Sequence, residues 1–139
     1  MTAPGVLHAA LVKRLEDALT GRVKVYDSDV PDKPPADGAG RVFPYCVVWP
    51  SPGGAPGEAA VHDTSGALDW MAQITVAAGD PAWCLQTVTV VRDAVFTGPL
   101  VDGGGPLVDE TPRSVTVTRD PDVIPRRWFV PLFAGCLTA

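Results

Sequence analysis

The sequence is short of almost everything that would name a function at sight. It has only two histidines and three cysteines in 139 residues, which leaves little material for imidazole catalysis or a thiolate metal site. The cysteines, Cys46, Cys84 and Cys136, are an odd number, widely spaced and set among apolar neighbours. They form no Cys-x-x-Cys knuckle and read as reduced, buried thiols. Basic residues are outnumbered, with 11 Lys and Arg against 16 Asp and Glu. A net charge of −5 argues against a surface built to hold nucleic acid, which depends on clustered cations that displace counterions. No apolar run approaches the roughly 18 residues of a membrane helix. The opening stretch carries Lys13, Arg14, Glu16 and Asp17 where a secretory leader needs an apolar centre, so a soluble chain made in the cytoplasm is expected.

Proline and glycine, by contrast, are abundant, at 15 and 14 residues. They cluster in two stretches, residues 27–42 and 50–66, on either side of the apolar run Phe-Pro-Tyr-Cys-Val-Val-Trp at 43–49. With 46% hydrophobic and 19% charged residues, the chain suits one packed domain over 1–139 with unusually much loop. It shows no internal repeat and no second domain.

Periodicity supplies the order of elements. Leu7, Leu11, Leu15 and Leu19 recur every four residues and predict an amphipathic helix over 6–19, stopped by Gly21. Val23 and Val25 alternate with charge in a strand at 22–26, and 43–49, apolar on both faces, predicts a central strand. Residues 67–77 alternate cleanly, with Leu68, Trp70, Ala72, Ile74 and Val76 on one side, and predict a long strand. Gly79-Asp80-Pro81 then supplies a capping aspartate and a first-turn proline for a second helix running up to Gly98.

Beyond it, Pro106 to Val108 is a candidate short strand, 114–118 alternates as a strand, and 126–135 forms the last one. Pro131 lacks an amide donor, so that last strand either lies at an edge or turns Pro131 away from its neighbour. The sum is an α+β fold in the order α-β-β-β-α-β-β: a mostly antiparallel sheet of four to five strands with both helices on one face.

A search for chemistry returns weak candidates. His62 sits beside Asp63, Thr64 and Ser65, but neighbours in a chain rarely point at one another, and no Gly-x-Ser-x-Gly elbow is present. His8 reads as an ordinary helix residue. The Val-Asp-Gly-Gly-Gly-Pro run at 101–106 lacks the Lys-Ser/Thr of a phosphate loop and reads as a turn. Asp27, Asp29, Asp32 and Asp37 are the densest carboxylates; their spacing is not that of an EF-hand, so a solvated acidic loop is favoured over a divalent-ion site. Arg126 and Arg127, next to Trp128, read as strand-end charges, with an inter-subunit salt bridge or a stacking platform as alternatives.

Taken together, the leading helix, Val-Tyr-Asp-Ser-Asp-Val-Pro-Asp at 25–32, the proline-rich gap, the run at 43–49, the strand at 68–78, the helix opened by Asp80-Pro81 and the terminal Arg-Arg-Trp-Phe-Val-Pro-Leu-Phe-Ala-Gly resemble a known family. It is that of the tail terminator, or tail completion, proteins of long-tailed bacteriophages, particularly those infecting high-GC actinobacteria. The resemblance follows element order over nearly the whole chain, with no catalytic signature.

It implies a structural virion protein with no cofactor, metal or catalytic residue. Copies would form a six-membered ring at the tail-neck junction that caps the tail tube, stops its polymerisation and receives the head-closure or connector protein, while genomic DNA passes through the lumen without specific binding. The two loops would project from the sheet and make the contacts, with Asp27, Asp29, Asp32, Pro34, Pro35, Arg41, Pro52, His62, Asp63, Arg126 and Arg127 as candidate contact residues. Other head-tail neck rings are the nearest alternative, followed by a cytoplasmic ligand-binding α+β domain with a pocket built from apolar loop residues. An enzyme of unknown type is the remaining one.

Overall fold

The structure is a computed structural model and describes residues 2–56 and 66–139. Helix α1 spans Pro4–Leu19, strand β1 Lys24–Asp27, β2 Tyr45–Trp49 and β3 Leu68–Ala78. Helix α2 spans Pro81–Val95 and is followed by β4 Val108–Asp109, β5 Thr118–Asp120 and β6 Arg127–Thr138. The fold is α+β, as the periodicity implies, but with three strands after α2 rather than two.

The sheet runs β1-β2-β3-β6, with β4 and β5 both paired to the outer side of β6. Every pairing is antiparallel except β1 with β2. That exception explains the first long loop. Parallel neighbours cannot be joined by a tight turn and need a crossover of about a dozen residues or more, which residues 28–44 provide without a helix. Parts of this crossover lie against the sheet, while most of its residues are exposed. Val30 packs against Tyr45, Val47 and Ala77 on the sheet face opposite the helices. Pro34 is buried, and Ala36 and Val42 form an antiparallel bridge.

The described part of the second loop is tied down too. Gly54 and Asp69 exchange both backbone bonds at 2.8 Å, and the Trp70 indole donates to the Ser51 carbonyl at 3.0 Å.

The main core lies between the sheet and both helices. Leu7, Leu11, Leu15 and Leu19 of α1 and Cys84, Val88, Val91 and Val95 of α2 bury the stripes that their spacing defines. They pack on Leu68, Trp70, Ala72, Ile74 and Val76 of β3 and on Val130, Leu132 and Ala134 of β6. Burying side chains of this size removes several hundred square ångströms of apolar surface from water, at about 25 cal/mol per Å². The β-branched residues that weaken α2 as an isolated helix are the same ones that fill this layer. Its start is held as expected: Asp80 Oδ1 accepts from the Ala82 and Trp83 amides at 2.8 and 3.3 Å, with Pro81 in the first turn.

Pro131 also accounts for the revised strand order. The 118–120 stretch pairs with 127–129, so residues 114–117 would, in continuous register, have placed Thr116 opposite Pro131. Proline has no amide to offer there. The next outward amide, that of Phe133, donates to the Thr111 hydroxyl at 3.0 Å instead, and the Phe133 carbonyl accepts from Glu110 at 2.9 Å. The expected strand at 114–118 is therefore confined to Thr118–Asp120, while Val115 and Val117 pack on the core from an irregular segment. Phe133 turns its amide and carbonyl away from β3, and Pro131 shares its parity. Pro131 thus faces the gap between β4 and β5 and costs β6 no bond to β3.

Candidate functional site

Among the described contact candidates, Asp27 and Pro52 lie at one end of the β2–β3 pair and Arg41 at the other. At the end where β2 finishes and β3 begins, Asp27 closes β1 beside His8 of α1. The His8 Nε2–H donates to Asp27 Oδ1 at 2.6 Å, and the Ser28 hydroxyl donates to the same oxygen at 2.9 Å. These two bonds, that from His8 the larger cause, hold the Asp27 carboxyl below its ordinary value. His8 also lines a hollow of about 310 Å³ with Pro4, Gly5, Pro50, Ser51 and Pro52.

A histidine held by an aspartate is part of a nucleophilic triad, but the third member is misplaced. In such a triad the hydroxyl meets the ring nitrogen remote from the carboxylate; Ser28 instead bonds to the carboxylate, and the buried His8 Nδ1 has no hydrogen-bond partner among the described residues.

At the opposite end, the turn 37–41 is built on one side chain. Asp37 accepts from the Ala39 and Arg41 amides at 3.0 and 2.8 Å and from Arg41 Nε at 2.9 Å. Its carboxyl is held below the ordinary range, chiefly by the Arg41 amide. Arg41 and Phe43 flank the fully buried Val42 and lie together over Trp83 of α2. The guanidinium carbon stands 4.4 Å from the Trp83 ring centre. The Phe43 and Trp83 planes are 13° apart with centroids at 6.4 Å.

Gly79 permits this meeting. A Cβ there would overlap the Val42 amide nitrogen and stand 2.9 Å from Arg41 backbone atoms, while the Gly79 amide donates to the Val42 carbonyl at 2.8 Å.

The sheet's outer face is covered by the crossover only in part. Tyr45, Val47 and Ala77 are buried under it, whereas Trp49, Met71 and Leu137 are 39%, 45% and 54% exposed. A groove of about 300 Å³ runs between Val30 on one side and Asp120 and Val123 on the other, floored by Val47, Thr75 and Ala77.

Of the residues proposed as contacts, Asp27 and Pro52 come together at the first end. Arg41 lies at the second, where the Pro35 carbonyl accepts from the Phe43 amide at 3.0 Å. Asp29, Asp32, Pro35 and Arg126 are exposed. Pro34 and Arg127 are corrected: both are buried and offer no free surface. Arg127 is drawn inward because its guanidinium donates to the Tyr45 hydroxyl at 2.9 Å. His62 and Asp63 lie outside the described residues.

The acidic loop does not converge, since Asp27 turns to His8 and Asp37 to Arg41. Among the described residues no three of His, Cys, Asp and Glu are grouped to hold a metal ion, and no helix is long and apolar enough to cross a membrane. Burial pushes the Cys46 thiol up to about 12 and the Cys84 thiol to about 11, which keeps both protonated and unreactive. The sequence reading missed the stacking of exposed Phe43 on the half-buried Trp83; its only available hint was the alternation of Arg41 and Phe43 about Val42.

No protein-family model matches this chain, and neither does any curated protein.

Proposed function

We propose that this chain is a phage tail terminator subunit, whose copies form a ring, six in number by the resemblance, that caps the tail tube and presents the surface to which the head connector attaches. The observation that carries this reading is the part of the outer sheet face that the described residues leave exposed. Trp49 and Phe133 stand on either side of Gln73, Met71 lies on the next row opposite Gly135, and Leu137 lies beyond it opposite Asp69. Trp49, Met71 and Leu137 are exposed on this one face, with Gln73, Asp69 and the Glu110 carboxylate set among them. Large apolar side chains gathered on one sheet face are surface that association between subunits can cover. The two ends of the β2–β3 pair add further surface of distinct chemistry, as a ring of identical copies requires.

The experiment is deletion of the gene from the phage that carries it, followed by electron microscopy of the lysate. Tails of uncontrolled length and heads without tails are expected. Uniform, capped tails joined to heads would overturn the reading.

A second reading, a ligand-binding domain, is favoured by one feature. A cleft of about 490 Å³ lies between α2 and residues 111–117, lined by Leu85, Val88, Arg92, Pro112, Arg113 and Val115 among others, and its size suits a small molecule. A rise in melting temperature with a metabolite in a thermal-shift screen, abolished by Val88→Trp, would favour it over the ring.

A further inference from the structure

Arg127 is a buried cation whose hydrogen bonds go to neutral groups. It is 8% exposed, yet it makes no ion pair with any described residue. Its Nη1 donates to the Tyr45 hydroxyl at 2.9 Å and its Nε to the Pro125 carbonyl at 3.4 Å, while Nη2 donates to no described residue. Taking a guanidinium out of water with no opposite charge against it is unfavourable, and a bound carboxylate would offset that cost.

The residue directly across from Arg127 is Asp120 of β5, half-buried, and both side chains line the same groove on the outer sheet face. Opposed residues of antiparallel neighbours have Cβ atoms only about 4.5–5.5 Å apart, yet these two do not pair. Asp120 Oδ1 accepts from the Asp122 amide at 3.1 Å, and Arg127 is turned toward Tyr45 and Pro125. A positive and a negative group thus border one groove, close together but not joined. The remainder is apolar: Val30 and Val123 form walls, Val47 and Ala77 the floor, and Trp49 lies toward the far end. From Tyr45 to Trp49 the groove follows β2 for about 13 Å.

We infer that this groove binds a free α-amino acid with a large apolar side chain. Such a molecule carries its ammonium and carboxylate on one carbon, which suits two opposite charges held apart on adjacent strands. The carboxylate accepts from Arg127 Nη2, the ammonium donates to Asp120, and the side chain lies over Val47 and Ala77 toward Trp49. A lone anion meets repulsion from Asp120 and a lone amine from Arg127, so the zwitterion is preferred over either. The volume, about 300 Å³, is that of a small ligand site and admits one amino acid rather than a long peptide. The site stands apart from the ring reading and needs only one subunit.

The test is isothermal titration of the purified full chain with L-phenylalanine and L-leucine, each beside its deaminated and its decarboxylated analogue. These sets share a side chain and differ only in charge. At least one amino acid is expected to bind about tenfold or more tightly than both of its analogues, the scale of one charge-assisted hydrogen bond. Amide resonances of Val47, Ala77, Asp120 and Arg127 are expected to shift on binding. Absence of saturable binding by both amino acids would overturn the site, as would equal affinity for an amino acid and its deaminated analogue.

Two variants, each checked for native melting, locate the binding. Asp120→Asn is expected to weaken the amino acid about tenfold and to leave the deaminated acid bound at least as well as before, a reversal that loss of folding does not imitate. Val123→Trp, which fills the groove from its wall, is expected to abolish binding. Amino-acid affinity unchanged by either variant would overturn the assignment.

Discussion

Arg127 and Tyr45 meet across the sheet. Arg127 Nη1 donates to the Tyr45 hydroxyl at 2.9 Å, with the residues 8% and 4% exposed. They belong to β6 and β2, which are separated by β3, so the bond fastens the first half of the sheet to the last strand. The guanidinium also lies 5.9 Å from the Tyr45 ring centre, and its Nε donates to the Pro125 carbonyl.

Removing the hydroxyl leaves a buried cationic donor short of a partner. Tyr45→Phe is therefore expected to lower unfolding free energy by about 1–3 kcal/mol, measured by urea denaturation. Arg127→Met, which removes the charge along with the donor, is expected to cost less than Arg127→Ala, because the methionine stem keeps the packing.

Gly79→Ala tests the close approach at the same end of β3. The added methyl meets backbone atoms of Arg41 and Val42, which cannot swing aside as a long side chain would. A loss of about 1–3 kcal/mol is expected, together with separation of Phe43 and Arg41 from Trp83, visible as a change in tryptophan fluorescence and near-ultraviolet circular dichroism.

Asp37 gives a pH dependence of known sign. Its carboxyl titrates below the ordinary 3.8 in the folded chain. Its stabilising effect is therefore fully present above the unfolded value and is lost as pH falls through the folded one. Asp37→Asn is expected to flatten that part of the stability curve between neutrality and the acid limb. The check is the denaturation midpoint followed down in pH for both proteins. Asp27, lowered chiefly by its bond from His8, acts with the same sign.

The thiols supply a test of burial. Cys46 at about 12 and Cys84 at about 11 carry almost no thiolate at pH 8, and Cys136 is also shifted upward, chiefly by burial. Reaction with a disulfide reagent at pH 8 is expected to be slow in the folded chain and complete for all three in denaturant. Rapid labelling of one thiol in the native state would contradict the packing of its strand or helix.

Local chemistry made much of this molecule legible in its sequence. The four-residue leucine spacing gave α1, the alternation from Leu68 to Val76 gave β3, and Asp80-Pro81 gave the start of α2, because side-chain period and capping act between residues a few positions apart. The same period marked which side of β3 faces the core. What local pattern does not carry is register, the choice of which distant segment lies beside which. The parallel pairing of β1 with β2, and with it the use of the proline-rich 28–44 segment as a crossover, is decided only when the sheet assembles. Pro131 was visible as a missing donor, yet that its gap would fall opposite Thr116 depended on where β5 met β6. Phe43, Arg41 and Trp83 come from a loop and a helix that Gly79 lets touch, and Arg127 reaches Tyr45 from 82 positions away. The sequence alone determined most of the elements and their buried faces, since those follow from each segment's own geometry; the tertiary structure decided which surfaces were left exposed, since exposure depends on everything else that packs.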